Sequence, residues 1–259
     1  MNAADPFVVY PAIDLRQGRV VRLVQGDPDR ETTYGQDPYR VAEEWHEAGA
    51  AWLHVVNLDG AFGGRSRENQ RALAEILCTP VQVQFGGGLR DTAAVSRAFE
   101  LGVSRIVLGT AFVEAPEFVT DVLAHFGADR VAVGIDARDG IVQIRGWRAS
   151  AALQAGDVAR RWAEAGGRWL VFTDISRDGT GRGVNVEATS EIADRTGLNV
   201  IASGGVRSLE DVRRVREADL SGVIIGRALY EGQVRLEDAI NIAPRPAPPP
   251  SSVMGPERS

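Results

Sequence analysis

Two aspartates follow similar apolar segments in the two halves of the chain. Asp14 ends the segment that begins at Val8, and Asp136 ends the segment that begins at Val131. A positioned carboxyl group removes or supplies a proton, so a facing pair suits a general base and a general acid. One such aspartate alone is explained equally well by a helix cap or an ion pair. The duplicated placement favours acid–base catalysis.

Glycine-rich turns follow four more apolar segments and indicate where phosphate binds. Such turns leave backbone amides unblocked near a helix start, which is a common arrangement for anion binding. Glycine also serves ordinary turns, but these turns form two pairs that an internal repeat relates. We therefore predict a substrate with a phosphate at each end and its reactive centre between them, over the two aspartates. The predicted phosphate-binding residues are Gly87, Gly88, Gly109, Thr110, Gly204, Gly205, Gly226 and Arg227.

Polar and aromatic residues near these segments complete the predicted site. Thr173 and Asp178 fall in and around the loop after the sixth segment, where their oxygens would orient a sugar. Trp147 would either stack on a planar base or pack within the fold. A single arginine is more often a solvated charge, but three are placed to contact an anion: Arg22, Arg90 and Arg145.

An internal repeat organises the chain. Residues 42–53 match residues 159–170 at seven of twelve positions, with an offset of 117. The same offset relates residues 87–90 to 204–207 and residues 109–111 to 226–228. Between Asp14 and Asp136 the offset widens to 122, which indicates a longer loop in the first half. The repeat predicts that four βα units occur twice.

Short β-branched segments alternate with amphipathic stretches, the pattern of repeated βα units. We predict a single (β/α)8 TIM barrel over residues 1–242, built from two similar half-barrels, with Asp14 and Asp136 facing each other across its mouth. A doubly wound open sheet is the alternative, but it does not predict the duplication. The proline-rich residues 243–259 predict a disordered tail. The predicted strands are residues 8–13, 52–57, 81–84, 105–108, 131–136, 169–174, 199–202 and 223–225.

The composition argues against several classes of protein. The net charge of −6, from 35 acidic residues and 29 arginines, provides no basic face for nucleic acid. No apolar run is long enough to span a bilayer, and the single cysteine, Cys78, is typical of the cytosol. The isolated residues His46, His54 and His125 are interpreted as structural or exposed, so we expect no metal and no other cofactor. We expect a cytoplasmic monomer whose partner is a bisphosphorylated small molecule.

Six motifs carry a resemblance to a known family. They are residues 11–15, 18–23, 85–90, 134–136, 173–180 and 203–206. Through them the chain resembles, over about residues 7–242, the phosphoribosylformimino carboxamide ribotide isomerases of histidine biosynthesis, the HisA family. The resemblance implies an Amadori rearrangement, in which the aminoaldose of one phosphoribosyl arm becomes an aminoketose.

The resemblance also implies roles for individual residues. Asp14 would remove the sugar C2 proton, and Asp136 would be the acid that assists ring opening at the ribose oxygen. Thr173 and Asp178 would steer the sugar, with Asp178 an alternative acid. Relatives often have aspartate where this chain has Asn57, which puts a secondary contact in doubt.

Three rival functions remain. The related cyclase of the pathway usually has Cys-Leu-Asp-Val and then lysine in its first strand, and this chain has a different motif at residues 11–15 and no lysine. A bifunctional isomerase would also act on phosphoribosylanthranilate, and Arg145 before Gly146 and Trp147 is suggestive of one. A non-catalytic phosphosugar-binding barrel would be expected to lack one of the two aspartates.

Overall fold

Eight parallel strands close into a barrel in the computed structural model, which describes residues 7–64 and 66–242. β7 pairs with β10, and β12 pairs with β1, so the ring has no free edge. This closure confirms the predicted TIM barrel and excludes the open sheet. The predicted tail, residues 243–259, lies outside the described residues. In ring order the strands are β1 (Val8–Arg16), β4 (Trp52–Asn57), β5 (Gln82–Gly86), β6 (Arg105–Leu108), β7 (Val131–Arg138), β10 (Trp169–Asp174), β11 (Asn199–Ser203) and β12 (Gly222–Ile225).

Helices follow each barrel strand along the chain and cover the outside of the ring. Most begin at a polar side chain that accepts a backbone N–H, as Asp91 does before α4 and Ser208 before α9. Within the described residues no helix is long and apolar enough to cross a membrane. The helices are α1 (Pro38–Glu47), α2 (Leu58–Ala61), α3 (Arg67–Ile76), α4 (Thr92–Glu100), α5 (Thr110–Glu114), α6 (Pro116–Phe126), α7 (Ala155–Glu164), α8 (Val186–Thr196), α9 (Leu209–Glu217), α10 (Arg227–Tyr230) and α11 (Leu236–Ile242).

Two antiparallel hairpins stand above the barrel, in segments where the sequence predicted no strands. In the first half β1 continues into β2 (Arg19–Val24) and β3 (Asp27–Gly35). In the second half β7 continues into β8 (Ile141–Ile144) and β9 (Ala149–Gln154). Each hairpin extends the strand that carries one of the two aspartates. The duplication therefore includes the hairpins as well as the βα units.

Apolar side chains fill two separate layers. The larger layer lies between the strands and the helices and includes the fully buried Trp162. The smaller lies inside the ring, where Trp169 and Val171 of β10 meet Tyr10 of β1 and Ile201 of β11. Since side chains alternate across a strand, the residues that continue this inner layer point into the barrel mouth.

Trp162 of α7 packs inside the fold, where it is fully buried. Trp162 donates its Nε1–H to the carbonyl of Trp169 over 2.9 Å. Its ring lies against Gly167, where a Cβ would stand 2.1 Å from Trp162 Cε2. The turn between α7 and β10 therefore has room for glycine and for nothing larger.

We predict that Gly167→Ala lowers the free energy of unfolding by about 1–3 kcal/mol, because the methyl group has to displace a buried indole. The measurement is the urea midpoint of unfolding. Gly156→Ala is the control, because a Cβ there meets only the tip of Arg195 at 3.3 Å and alanine favours the helix by up to about 1 kcal/mol. Equal midpoints for Gly167→Ala and the wild type would show that the turn is not packed as described.

Candidate active site

The barrel delivers Asp14 and Asp136 to opposite sides of its mouth. In β1, Tyr10 and Ala12 fill the barrel interior, and Asp14 is the next residue on that face. In β7 the corresponding series is Ala132, Gly134 and Asp136. β1 and β7 are four strands apart in a ring of eight. The structure thus gives both aspartates the facing positions that the repeat predicts.

Arg22 links Asp14 to Asp178. Its Nη1 donates to Oδ2 of Asp14 over 2.7 Å, and its Nη2 lies 3.8 Å from Oδ1 of Asp178. The side chains are only 13–14% exposed, so water screens these charges poorly. Arg22 reaches this position because β2 folds back on β1, with Val21 beside Asp14. The first hairpin therefore presents a cation to two carboxyl groups.

Gly226 makes the space that this cation occupies. A Cβ on Gly226 would stand 2.4 Å from Cζ of Arg22. The guanidinium thus lies flat against the backbone at the end of β12. Gly109, the counterpart of Gly226 in the repeat, meets only the carbonyl of Gly134, at 3.5 Å. The two equivalent glycines consequently serve different neighbours.

Asp136 has uncharged partners instead of an arginine. The indole Nε1 of Trp147, at the tip of the second hairpin, donates to Oδ2 of Asp136 over 2.7 Å. Thr173 lies beside Asp136 in the neighbouring strand and also donates to its carboxylate. Trp147 in turn covers Gly26 of the first hairpin, where a Cβ would stand 2.4 Å from the indole. The two hairpins therefore meet over the site.

Burial raises the pKa of all three carboxyl groups. For Asp14, burial outweighs the attraction of Arg22, and the negative charge of Asp178 adds to the rise, so that the pKa reaches about 6. The pKa of Asp178 is raised by burial against the pull of Arg22. The pKa of Asp136 is raised by burial against the hydrogen bonds from Trp147 and Thr173. The site therefore holds three buried carboxyl groups of raised pKa, an arrangement typical of acid–base sites.

The three carboxyl groups line a cavity of about 220 Å³, and a second cavity of about 100 Å³ adjoins it. Arg22, Asp178, Ser203 and Ile224 line both spaces. The two cavities therefore adjoin at the carboxyl ends of the strands, with the side chains of Arg22 and Asp178 between them.

The predicted phosphate-binding turns line the two cavities, one set in each. The larger cavity contains the first-half set, Gly87, Gly88, Arg90, Gly109 and Thr110. The smaller contains the second-half set, Gly204, Gly205, Gly226 and Arg227. Gly109 and Gly226 precede α5 and α10, and neither helix start has a side-chain cap among the described residues. Their backbone N–H groups are thus suited to an anion.

The four double-glycine positions have a structural reason of their own. Gly88 and Gly205 have positive φ angles, and Cβ atoms there would stand 2.8 Å from Cα of Gly60 and 2.6 Å from the carbonyl oxygen of Gly183. Gly87 and Gly204 likewise face backbone carbonyls. A larger residue at any of them strains the turn before it reaches a ligand. Gly109 is the better position for probing phosphate binding.

Arg145 lies apart from the other predicted site residues. It lines neither cavity, and its Nε pairs with Oε1 of Glu114 over 2.7 Å with the arginine side chain 66% exposed. Its backbone N–H donates to Oγ1 of Thr110. The residue therefore ties the second hairpin to the start of α5, and its guanidinium faces solvent. Arg227 lines the smaller cavity, but its side chain also binds Glu231 and the carbonyl of Gly179.

The structure gives His54 and Asn57 positions that the sequence did not predict. His54, interpreted above as a structural or exposed residue, lines the larger cavity. The signal was its alternation with Trp52 and Val56 in β4, which points it into the barrel. Asn57 accepts the Gly60 N–H at the start of α2 and a hydrogen bond from Asn69. The side-chain oxygen at position 57 therefore serves the α2 turn, and an aspartate would supply such an oxygen as well.

Within residues 7–64 and 66–242, no group of three or more His, Cys, Asp or Glu side chains is arranged to hold a metal ion. Independence of metals and other cofactors remains a prediction. Activity that is retained after extensive chelation would support it.

Comparison with known proteins finds a matching family and several named relatives. The family described as "Histidine biosynthesis protein" matches residues 8–235. Three relatives bear the name 1-(5-phosphoribosyl)-5-((5-phosphoribosylamino)methylideneamino)imidazole-4-carboxamide isomerase. The protein of Novosphingobium aromaticivorans is 49% identical over 91% of this chain and 99% of its own length. That of Moorella thermoacetica is 48% identical over 91% and 98%, and that of Symbiobacterium thermophilum is 50% identical over 90% and 96%.

We predict that Asp14→Asn stabilises the protein at neutral pH. The pKa of Asp14 is higher in the folded chain, about 6, than its ordinary value of 3.8, so ionisation opposes folding as the pH rises from about 4 to about 6. Asparagine avoids that ionisation, and the shift of about two pH units corresponds to a gain of at most about 3 kcal/mol. The measurement is urea unfolding at pH 7.5 and at pH 4.

The gain should disappear at pH 4, where wild-type Asp14 is protonated in the folded chain. Asp121→Asn, on the exposed face of α6, is the control and should change the pH dependence of stability little. A destabilised Asp14→Asn variant at pH 7.5 would contradict the balance between burial and Arg22 that is given above.

Proposed function

The chain belongs to the histidine biosynthesis protein family, and from this we propose that it catalyses the isomerisation for which its relatives are named. The reaction is an Amadori rearrangement of one phosphoribosylamino arm. The observation that carries the proposal is the pair of adjoining cavities, each lined by one set of the predicted phosphate-binding turns, with Arg22, the partner of Asp14, lining both. A substrate with a phosphate on each of two ribosyl arms matches that layout.

The rearrangement requires protons to be both supplied and removed at the sugar. A proton delivered to the ring oxygen opens the aminoaldose ring and leaves a protonated imine at C1. Removal of the C2 proton then gives a neutral enolamine. Protonation at C1, with loss of the C2 hydroxyl proton as the C2 carbonyl forms, yields the aminoketose. The two protons gained, at the ring oxygen and at C1, balance the two lost, from C2 and from its hydroxyl. A base and an acid are therefore sufficient for the reaction.

Asp14 is the base in this proposal. A pKa of about 6 leaves its carboxylate ionised at neutral pH and still close to the operating pH, which is the favourable range for proton transfer. Arg22 holds that carboxylate through one oxygen, Oδ2. The residue position agrees with the role that the family resemblance implies.

The acid is assigned to Asp178, although the resemblance points first to Asp136. Asp136 accepts hydrogen bonds from both Trp147 and Thr173, and these bonds favour its ionised form. Asp178 has Arg22 as its one stabilising charge, at 3.8 Å, and burial raises its pKa in spite of it. Burial raises the pKa of both residues, but within the described residues Asp178 accepts no hydrogen bond, so its carboxyl group is free to donate a proton to a substrate oxygen. Asp136 would hold Trp147 and Thr173 in place against the sugar and the planar part of the substrate.

We predict that Asp14→Asn and Asp178→Asn each lower kcat by about 10²- to 10⁴-fold, because each amide keeps the shape of the side chain and loses the transferable proton. Asp136→Asn should lower kcat by about tenfold. Its amide oxygen still accepts one of the two hydrogen bonds, so the variant loses only one bond to a charged group. The assay follows the aminoaldose to its ketose product by absorbance and mass. It includes phosphoribosylanthranilate as a second substrate.

The same series separates the two assignments of the acid. A loss in Asp136→Asn as large as that in Asp14→Asn, together with a mild effect of Asp178→Asn, would return the acid role to Asp136. No detectable turnover by the wild type with the aminoaldose would reject the proposed function itself.

We predict that Gly109→Ala weakens binding of the first phosphate by about 10- to 100-fold, the range expected for losing a charge-assisted hydrogen bond. The added methyl group meets no protein atom closer than 3.5 Å, so the fold should persist. Binding of inorganic phosphate is counted by titration calorimetry, with two sites expected in the wild type and one in the variant.

Gly226→Ala is the matched comparison. It should lose the other phosphate site and also lower kcat, since its methyl group displaces Arg22. A single phosphate site in the wild type would remove the basis for the two-ended substrate.

A further inference from the structure

A buried arginine lies inside the barrel below the active site. Arg105, the first residue of β6, is 5% exposed, and its guanidinium lies 3.8 Å from the ring centroid of Trp169 and 4.7 Å from that of Trp52. Its Nε donates to the carbonyl of Asp129, and its Nη1 donates to the Tyr10 hydroxyl over 3.4 Å. These contacts fix the guanidinium within the floor of the barrel.

The arginine determines how the Gln84 amide points. Arg105 Nη1 lies 3.2 Å from Oε1 of Gln84, and because arginine only donates, the glutamine presents its carbonyl oxygen there. The amide NH2 therefore faces the other way, where Nε2 lies 3.0 Å from Nδ1 of His54. An amide nitrogen only donates, so Nδ1 of His54 has to accept. The ring proton of His54 is consequently on Nε2.

The ring of His54 faces the cavity that holds Asp14. His54 pairs in register with Ala12, two residues before Asp14 on the same inward face. It lines the larger cavity, and within the described residues the structure shows no protein acceptor for its Nε2–H. Burial and the charge of Arg22 lower the pKa of His54 to about 3, so the ring stays neutral. The cavity floor thus offers a neutral N–H donor.

We propose that Arg105 and Gln84 fix His54 as a neutral Nε2–H donor, and that this N–H binds an oxygen of the sugar arm that is isomerised. The inference rests on the proposed function. His54 contacts the substrate in this account, and Gln84 and Arg105 are positioning residues. A neutral donor polarises a hydroxyl or carbonyl oxygen without adding a second positive charge beside Arg22, which would make Asp14 a weaker base.

The test combines a spectroscopic and a kinetic measurement on Gln84→Glu. A carboxylate cannot donate to Nδ1, so the proton of His54 should move to Nδ1 and leave a lone pair facing the cavity. The ¹⁵N spectrum of histidine-labelled protein distinguishes the two ring forms, and His54→Asn assigns the signals. With the aminoaldose, kcat/KM should fall by about 3- to 10-fold, the size of one neutral hydrogen bond.

Gln82→Glu is the matched control, because it places the same charge on the same strand at an exposed position. It should keep both the Nε2–H form of His54 and the wild-type kcat/KM. If Gln84→Glu does not fold, Gln84→Met replaces it, with a mixture of the two ring forms and a similar fall in kcat/KM expected.

Two results would overturn the proposal. One is an Nδ1–H form of His54 in the wild type, or an Nε2–H form that persists unmixed in the folded Gln84 variant. The other is a variant that changes the ring form and retains full kcat/KM. Because the spectrum is recorded without substrate, an inactive wild-type enzyme would reject the proposed function while the Arg105–Gln84–His54 arrangement is still decided.

Discussion

The pairing of Arg22 with Asp14 and Asp178 is the interaction on which the rest of the site depends. It needs the first hairpin, which folds β2 back on β1, and it needs the bare backbone at Gly226. Arg22 also lines both cavities, so the same guanidinium borders the three carboxyl groups and the predicted phosphate-binding turns of the second half. It keeps a buried carboxylate ionisable where burial alone would favour its neutral form.

The two half-barrels surround equivalent aspartates with different side chains. Each ends a strand with an inward aspartate and covers it with a hairpin, but the first supplies Arg22 and the second supplies Trp147. A cation and a neutral indole affect a carboxyl group differently, because only the cation changes the electrostatic potential over several ångströms. The duplication therefore produced two equivalent positions, and the change of partner gave them different chemistry. Below the two aspartates, inside the barrel, the guanidinium of Arg105 orients the side-chain amide of Gln84.

The strands and both inward aspartates were predictable from the sequence, because strand alternation and the internal repeat can both be recognised in the order of residue types. Observed strands begin within one residue of the predicted starts and end at most three residues later. The hairpins were missed although Gln17-Gly18 and Asp139-Gly140 have the positive φ angles of two-residue turns, and an Asp-Gly pair is a known signal for one. The residues of β3 are mostly polar and do not alternate with apolar ones, so the sequence pattern did not support a hairpin there.

Contacts between distant segments were beyond sequence reasoning. Nothing local separates Arg22, which reaches Asp14, from Arg145, which turns outward to Glu114. His54 appeared isolated because its partners, Gln84 and Arg105, come from neighbouring strands and meet only when the barrel closes. The sequence predicted that Gly88 and Gly205 bind phosphate through backbone amides. The structure adds that other backbone segments lie too close to both glycines for a side chain.

The most direct measurement is the pH dependence of kcat/KM in the wild type, Arg22→Lys and Arg22→Met. Because Asp14 has to be ionised to act as the base, kcat/KM of the wild type should fall as the pH drops below about 6. Arg22→Lys should keep that acid limb near its place, and Arg22→Met should move it to higher pH, since the charge that lowers the pKa of Asp14 is gone. Arg90→Met, which changes a cavity residue that makes no ion pair with Asp14 in the described chain, should leave the limb where it is. An acid limb at the same pH in Arg22→Met and the wild type would contradict the account.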